Sequence, residues 1–92
     1  MTGKETRQLP IVNEKGLHAR AAAKLVEVVE GFDATAEVTL DGQTAGGDSI
    51  MGLLMLAASK GTTIDVQISG PDAAALADAL QALVANRFGE DM

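Results

Sequence analysis

The spacing of apolar positions changes several times along the chain, and each change marks an element. Thr6 to Val12 is extended in character, and Pro10 within it, which has no N–H to give to a ladder, points to an edge strand or a strand end. From Leu17 the apolar residues Ala21, Leu25, Val28, Val29 and Phe32 recur at helical intervals, and Gly31 supplies a stop. Ala36, Val38 and Leu40 then alternate with Glu37 and Thr39. Asp41-Gly42 offers a tight turn, with Gln43 to Ala45 returning as the second arm of a hairpin.

Gly46-Gly47 breaks the returning strand, and Ser49 opens a short apolar segment, Ile50 to Leu56, long enough for one or two helical turns. So short a helix cannot bury every side, so part of the set Ile50, Met51 and Leu54 is expected at the surface. Ile64, Val66 and Ile68 alternate with Asp65 and Gln67 as a half-buried strand. Pro71-Asp72 then starts a helix with the apolar stripe Leu76, Leu80, Leu83 and Val84, for which Asp72 is the expected N-cap. The order predicts an α+β fold, with helices on one face of an antiparallel sheet whose other face meets solvent. Phe32 and Phe88 are the only aromatics, so the core must be aliphatic. Phe32 is expected to pack where the first helix ends, and neither ring suits base stacking.

A length of 92 residues fits one domain. Its core is expected over about residues 5–88, with a short flexible N-terminal end and a flexible acidic C-terminal end. The absence of cysteine excludes a disulfide framework, a thiolate metal site and a cysteine nucleophile. Thirteen acids against seven bases give a net charge of −6. That charge repels nucleic-acid backbones and anionic lipid alike, so neither is an expected partner. Met1 to Arg7 lacks the apolar region of a signal peptide, and no segment is long and uncharged enough to span a bilayer. A soluble cytoplasmic protein, monomeric, is the expectation. Lys15, Arg20 and Lys24 form one basic spot, whereas acids collect elsewhere, notably Glu90 and Asp91 at the tail.

His18 is the sole histidine and stands where the Gly16 turn meets the first helix. Unpaired backbone N–H groups point outward there and welcome an anion. A neutral imidazole can attack phosphorus, and helix-terminal N–H groups, the helix dipole and Arg20 would hold the phosphoryl group, with no metal or other cofactor required. A lone histidine at a helix start can equally serve as a plain N-cap residue, so the neighbouring residues decide its weight. Gly16-Leu17-His18-Ala19-Arg20-Ala21-Ala22-Ala23 resembles the active-site segment of HPr, the histidine phosphocarrier family of the bacterial phosphotransferase system. Asp48-Ser49-Ile50-Met51-Gly52-Leu53-Leu54-Met55-Leu56 is similar to the family's regulatory-serine segment, at the family's spacing from His18. Ser59-Lys60-Gly61 and the strand Ile64 to Ile68 also fit, so the resemblance runs from about Glu5 to Phe88. Asn13-Glu14-Lys15-Gly16, Gly31-Phe32-Asp33-Ala34 and Leu53-Leu54-Met55-Leu56 look closest to the family's nitrogen-related, regulatory branch.

The resemblance implies an open-faced β-α-β-β-α-β-α sandwich, a four-stranded antiparallel sheet with three helices on one face. It implies that His18 carries phosphate on Nδ1, the pros nitrogen, stabilised by Arg20, and that the protein is a stoichiometric carrier and not an enzyme. Enzyme I would be the donor and an enzyme IIA the acceptor, docking on Lys15, Lys24, Ile50, Met51 and Leu54. Ser49 would be a regulatory site for an HPr kinase/phosphorylase, a role compatible with a plain helix cap. The family usually has proline directly after the arginine; Ala21 stands here, giving up a fixed φ and restoring a backbone N–H. Lys15 replaces the small polar residue often found near the imidazole. Two rivals remain at this point: a regulatory adaptor acting by Ser49 phosphorylation and docking through the apolar patch, with His18 idle, and an acylphosphatase-like hydrolase, which would need an arginine anion cradle and an asparagine to place water, for which Arg20 and Asn13 are present but joined by no such motif.

Overall fold

The computed structural model describes residues 3–91; the N-terminal end expected to be flexible lies outside them at residues 1 and 2. The elements are β1 (Gly3–Pro10), α1 (Ala19–Glu30), β2 (Thr35–Leu40), β3 (Gln43–Gly46), α2 (Ile50–Met55), β4 (Thr63–Gly70), α3 (Ala73–Ala85) and a single 3₁₀ turn, Arg87–Gly89. The strands make one antiparallel sheet in the order β1-β4-β2-β3. In β4, Ile64, Val66 and Ile68 are buried beneath the helices while Thr63 and Gln67 face solvent. Ala36 and Val38 of β2 repeat that alternation. The expected α+β architecture, with three helices on a four-stranded sheet, is the observed one.

Four local expectations are corrected. The first strand begins at Gly3 and ends at Pro10, not at Thr6 and Val12, because β1 pairs with β4 along its whole length, Gly3 opposite Gly70 through Pro10 opposite Thr63. Backbone pairing extends the strand through Lys4 and Glu5, which carry no apolar signal. Leu17 lies before α1, not in it: its side chain is buried and its N–H donates to the Ala58 carbonyl at 2.8 Å. Asp72 occupies the N-cap position of α3, but its carboxylate accepts from the Asp33 backbone N–H at 2.8 Å and so ties down the turn before β2.

The fourth correction concerns the acidic end. After α3, Arg87, Phe88 and Gly89 have φ of 56°, 54° and 80°. Each left-handed non-glycine residue costs about 1–2 kcal/mol, and burying a phenylalanine returns roughly 1.5–3 kcal/mol. The turn drops Phe88 into the aliphatic core, where it is fully buried. Gly89 and Glu90, which follow it, form a strap held against α1 and not a free tail. The hairpin turn is as expected: Asp41 and Gly42 both have positive φ, 52° and 82°, the twist that suits two antiparallel strands.

Candidate functional site

The loop from Asn13 to His18 is shaped by one glycine and one buried amide. Gly16 has a φ of +64°, and a Cβ there would lie 2.4 Å from the Ala58 carbonyl oxygen, so both conformation and space demand glycine. Asn13 is fully buried, and its Nδ2 donates to the Gly16 carbonyl at 2.8 Å. This pins the chain just before His18, which is the N-cap residue of α1 with φ −82° and ψ −178°. Its side chain makes no capping hydrogen bond, so the ring is not spent on helix initiation. The first bond of the helical ladder runs from Ala22 N–H to His18 C=O at 2.8 Å. The N–H groups of Ala19, Arg20 and Ala21 therefore precede the ladder and face outward, the anion-favouring arrangement the sequence suggested.

The strap supplies a contact that the sequence reading missed. Nε2 of His18 meets Oε2 of Glu90, while Glu90 Oε1 accepts from Asn13 Nδ2 at 2.9 Å. Lys24 Nζ donates to the Phe88 carbonyl at 2.6 Å and fastens the strap to α1. Glu90 is only 14% exposed at its side chain. Its carboxyl is held below the usual carboxylate range, chiefly by the Asn13 amide and also by His18 and Lys15, against the opposing effect of desolvation.

Lys15, Arg20, Lys24, Gly89, Glu90 and Asp91 line a crevice of about 280 Å³, joined to His18 through Glu90. Basic spot and acidic end, expected apart, thus share one site, because burial of Phe88 carries the acids there. Among the described residues neither Lys15 nor Arg20 makes an ion pair, and both are exposed. Lys24 is half-buried and already occupied by the strap.

Helix α2 packs beside α1. Ser49 is its N-cap, with Oγ accepting from Gly52 N–H at 3.0 Å, so the capping role is real. Met51 and Met55 are 71% and 76% exposed and Ile50 is 40% exposed, whereas Leu54 is half-buried against the core. Met55, omitted from the expected docking set, projects further than Leu54, which leans inward beside the buried Leu53.

A family model described as "PTS HPr component phosphorylation site" matches residues 5–86. The chain belongs to the HPr family. It is 45% identical over 84 residues to the phosphocarrier protein HPr of Cupriavidus necator, covering 91% of this chain and 94% of that protein. It is also 43% identical over 94 residues to the phosphocarrier protein NPr of Escherichia coli K12, covering 99% and 100%. The crystal structure of HPr from Thermoanaerobacter tengcongensis superposes with a TM-score of 0.90 at 32% identity, over 96% of this chain and 99% of that one. Members of the HPr family are non-enzymatic phosphoryl carriers that interact with enzymes of the phosphotransferase system, and this chain is one of them. The hydrolase alternative also fails on geometry. Asn13, which would have had to place water, is buried with its Nδ2 committed to Gly16 and Glu90.

Proposed function

We propose that His18 accepts a phosphoryl group on Nδ1 from phospho-enzyme I and passes it to an enzyme IIA domain. The observation that carries this reading is the state of the His18 ring. It sits at the N-terminus of α1 without capping it, near Arg20, which makes no ion pair among the described residues, and its Nε2 is already engaged by Glu90, leaving Nδ1 for chemistry. Arg20 meets the phosphoryl oxygens with its planar guanidinium. Lys15 and the exposed part of α2, with Ile50 and Met51, dock the partner; Lys24 and Leu54 support that face from behind. The carrier works as a cytoplasmic monomer in a nitrogen-type, regulatory system. That branch rests on the segments around Gly31 to Ala34 and Leu53 to Leu56, since overall identity is similar to HPr and NPr relatives.

The test is incubation with phosphoenolpyruvate and enzyme I, followed by mass measurement and acid treatment. One acid-labile phosphate is expected, lost in His18→Ala while that variant keeps its fold. Labelling that survives the substitution rules His18 out. Ser49 is proposed as a switch that an HPr kinase/phosphorylase acts on, its support being its place at the start of the exposed α2.

A further inference from the structure

From the chain of contacts Asn13 to Glu90 to His18, we infer that Glu90 is a positioning residue that selects the ring tautomer of His18 and so makes Nδ1 the nucleophile. This rests on the reading of His18 as the phosphoryl acceptor. A carboxylate can only accept hydrogen bonds, so the ring nitrogen that faces it must carry the proton. In a neutral imidazole, a proton on Nε2 leaves the lone pair on Nδ1.

The carboxylate is itself oriented. Asn13 Nδ2 reaches both the Gly16 carbonyl at 2.8 Å and Glu90 Oε1 at 2.9 Å, and both partners are pure acceptors, so the Asn13 amide has one workable orientation. Its Oδ1 is buried with no hydrogen-bond partner among the described residues, the cost of keeping Nδ2 turned toward the site. Glu90 is further fixed through its backbone, whose N–H donates to the Arg87 carbonyl at 2.9 Å, and through the buried Phe88 before it. The hydrogen bond from Asn13 keeps the carboxyl ionised, so Glu90 does not turn into a donor near neutrality.

During transfer the Nδ1 lone pair forms the bond to phosphorus as the bond between phosphorus and the donor's leaving atom breaks, its electron pair leaving with that atom. No proton leaves the ring. Nε2–H stays on Glu90, and the positive charge that the ring gains faces a carboxylate. In the onward step a nucleophile of the acceptor domain gives its lone pair to phosphorus as the phosphorus–Nδ1 pair falls back to the ring, which departs as the same neutral Nε2–H imidazole.

A glutamine at position 90 separates this role from mere packing. With Asn13 Nδ2 still donating to the amide oxygen, the glutamine NH₂ would face His18 Nε2, donate to it and move the ring proton to Nδ1, where it blocks attack. An alanine would only release the ring. Glu90→Gln should therefore be phosphorylated about tenfold or more slowly than wild type, and more slowly than Glu90→Ala, by analogy with the loss when a tautomer-setting carboxylate becomes an amide. A packing role predicts the reverse order, because glutamine preserves shape. The second readout needs no partner: ¹⁵N shifts of the His18 ring in the unphosphorylated protein, at a pH where the ring is neutral. The Nε2–H pattern is expected in wild type and the Nδ1–H pattern in Glu90→Gln. Equal ring shifts in the two proteins, or Glu90→Gln labelling faster than Glu90→Ala, would overturn the inference. Should wild type fail to label at all, the carrier reading fails, while the ring shifts still decide the role of Glu90.

Discussion

Arg20 and Gly16 show how far single residues determine this site. Arg20 is exposed at the second position of α1, one residue after an unpaired N–H and two after His18, with no acid committed to it among the described residues. Its charge and fork geometry are therefore free for phosphoryl oxygens. Arg20→Ala should slow phosphoryl transfer by about a hundredfold, a loss of roughly 1.5–3 kcal/mol for a charge-assisted hydrogen bond. Arg20→Lys should regain only part of it, because an ammonium cannot meet two oxygens in one plane. Rates of both variants equal to wild type in a timed phosphorylation assay would remove Arg20 from the chemistry. Gly16 acts on stability instead. An alanine there adds a left-handed conformation to a clash with the Ala58 carbonyl, so Gly16→Ala should lower unfolding free energy by about 2 kcal/mol or more in a urea titration. The motif made both residues visible in the sequence. The motif did not reveal that Gly16 is needed for close approach to the segment after α2.

The C-terminal strap is the element whose role depends most on its surroundings. Phe88 anchors it in the core, Lys24 holds its backbone and Asn13 holds its carboxylate. Phe88→Ala should cost roughly 3–5 kcal/mol by cavity formation, and should also free Glu90 from His18. Amide exchange at Gly89 and Glu90, whose N–H groups donate at 2.9 Å to Asn86 and Arg87, should then rise more than exchange in β4. Uniform loosening across the sheet would mean that the strap is not a separate unit. Acid should act on the same contact. The Glu90 carboxyl titrates lower in the folded protein than in the unfolded chain, so its stabilising contribution is complete above the unfolded value of about 4.3 and is lost as pH falls through the folded value. Protection of the Gly89 and Glu90 amides should therefore hold from neutrality to about pH 5 and fade only below the ordinary carboxylate range. Fading between neutrality and pH 5 would show that something other than Glu90 holds the strap.

At the scale of the whole molecule, a chain of net charge −6 presents one crevice rich in lysine and arginine beside an apolar helix face. Glu90 and Asp91 offset most of the positive charge there, so in the proposed docking the exposed Ile50, Met51 and Met55 would carry much of the contact and the cations would orient the encounter. Ser49 controls the start of that helix through its bond to Gly52 N–H. Ser49→Ala should cost about 1 kcal/mol of stability as a lost cap and leave transfer from His18 unchanged at saturating partner. Ser49→Asp keeps an N-capping oxygen but sets a new charge beside Asp48 and the apolar face. It should raise the KM for enzyme I several-fold more than it lowers kcat. A variant phosphorylated on His18 as readily as wild type at low carrier concentration would leave Ser49 as a cap and nothing more.

Much of this was legible without coordinates, for reasons that lie in local physics. The helical recurrence from Ala21 to Val29, the alternation in β2 and β4, and the Asp41-Gly42 turn each express a period or a conformational preference contained within a few residues. The His18 motif and the Ser49 cap are local in the same sense, since each works on the first turn of the helix it begins. What the chain order did not show was contact over long separations. Glu90 lies far along the chain from Asn13 and His18, and nothing in Glu90-Asp91 distinguishes a packed carboxylate from a solvated tail. Its place is decided by the left-handed turn at Arg87 to Gly89 and by the only cavity-filling aromatic near the end, Phe88. Likewise Lys24 reads as a free basic side chain until the Phe88 carbonyl is found against it. The periodicity along the chain determined the fold class, and the motif around His18 singled out the residue proposed to react; the tertiary structure decided which atom of that residue faces a carboxylate, because only packing brings the two ends of the chain together.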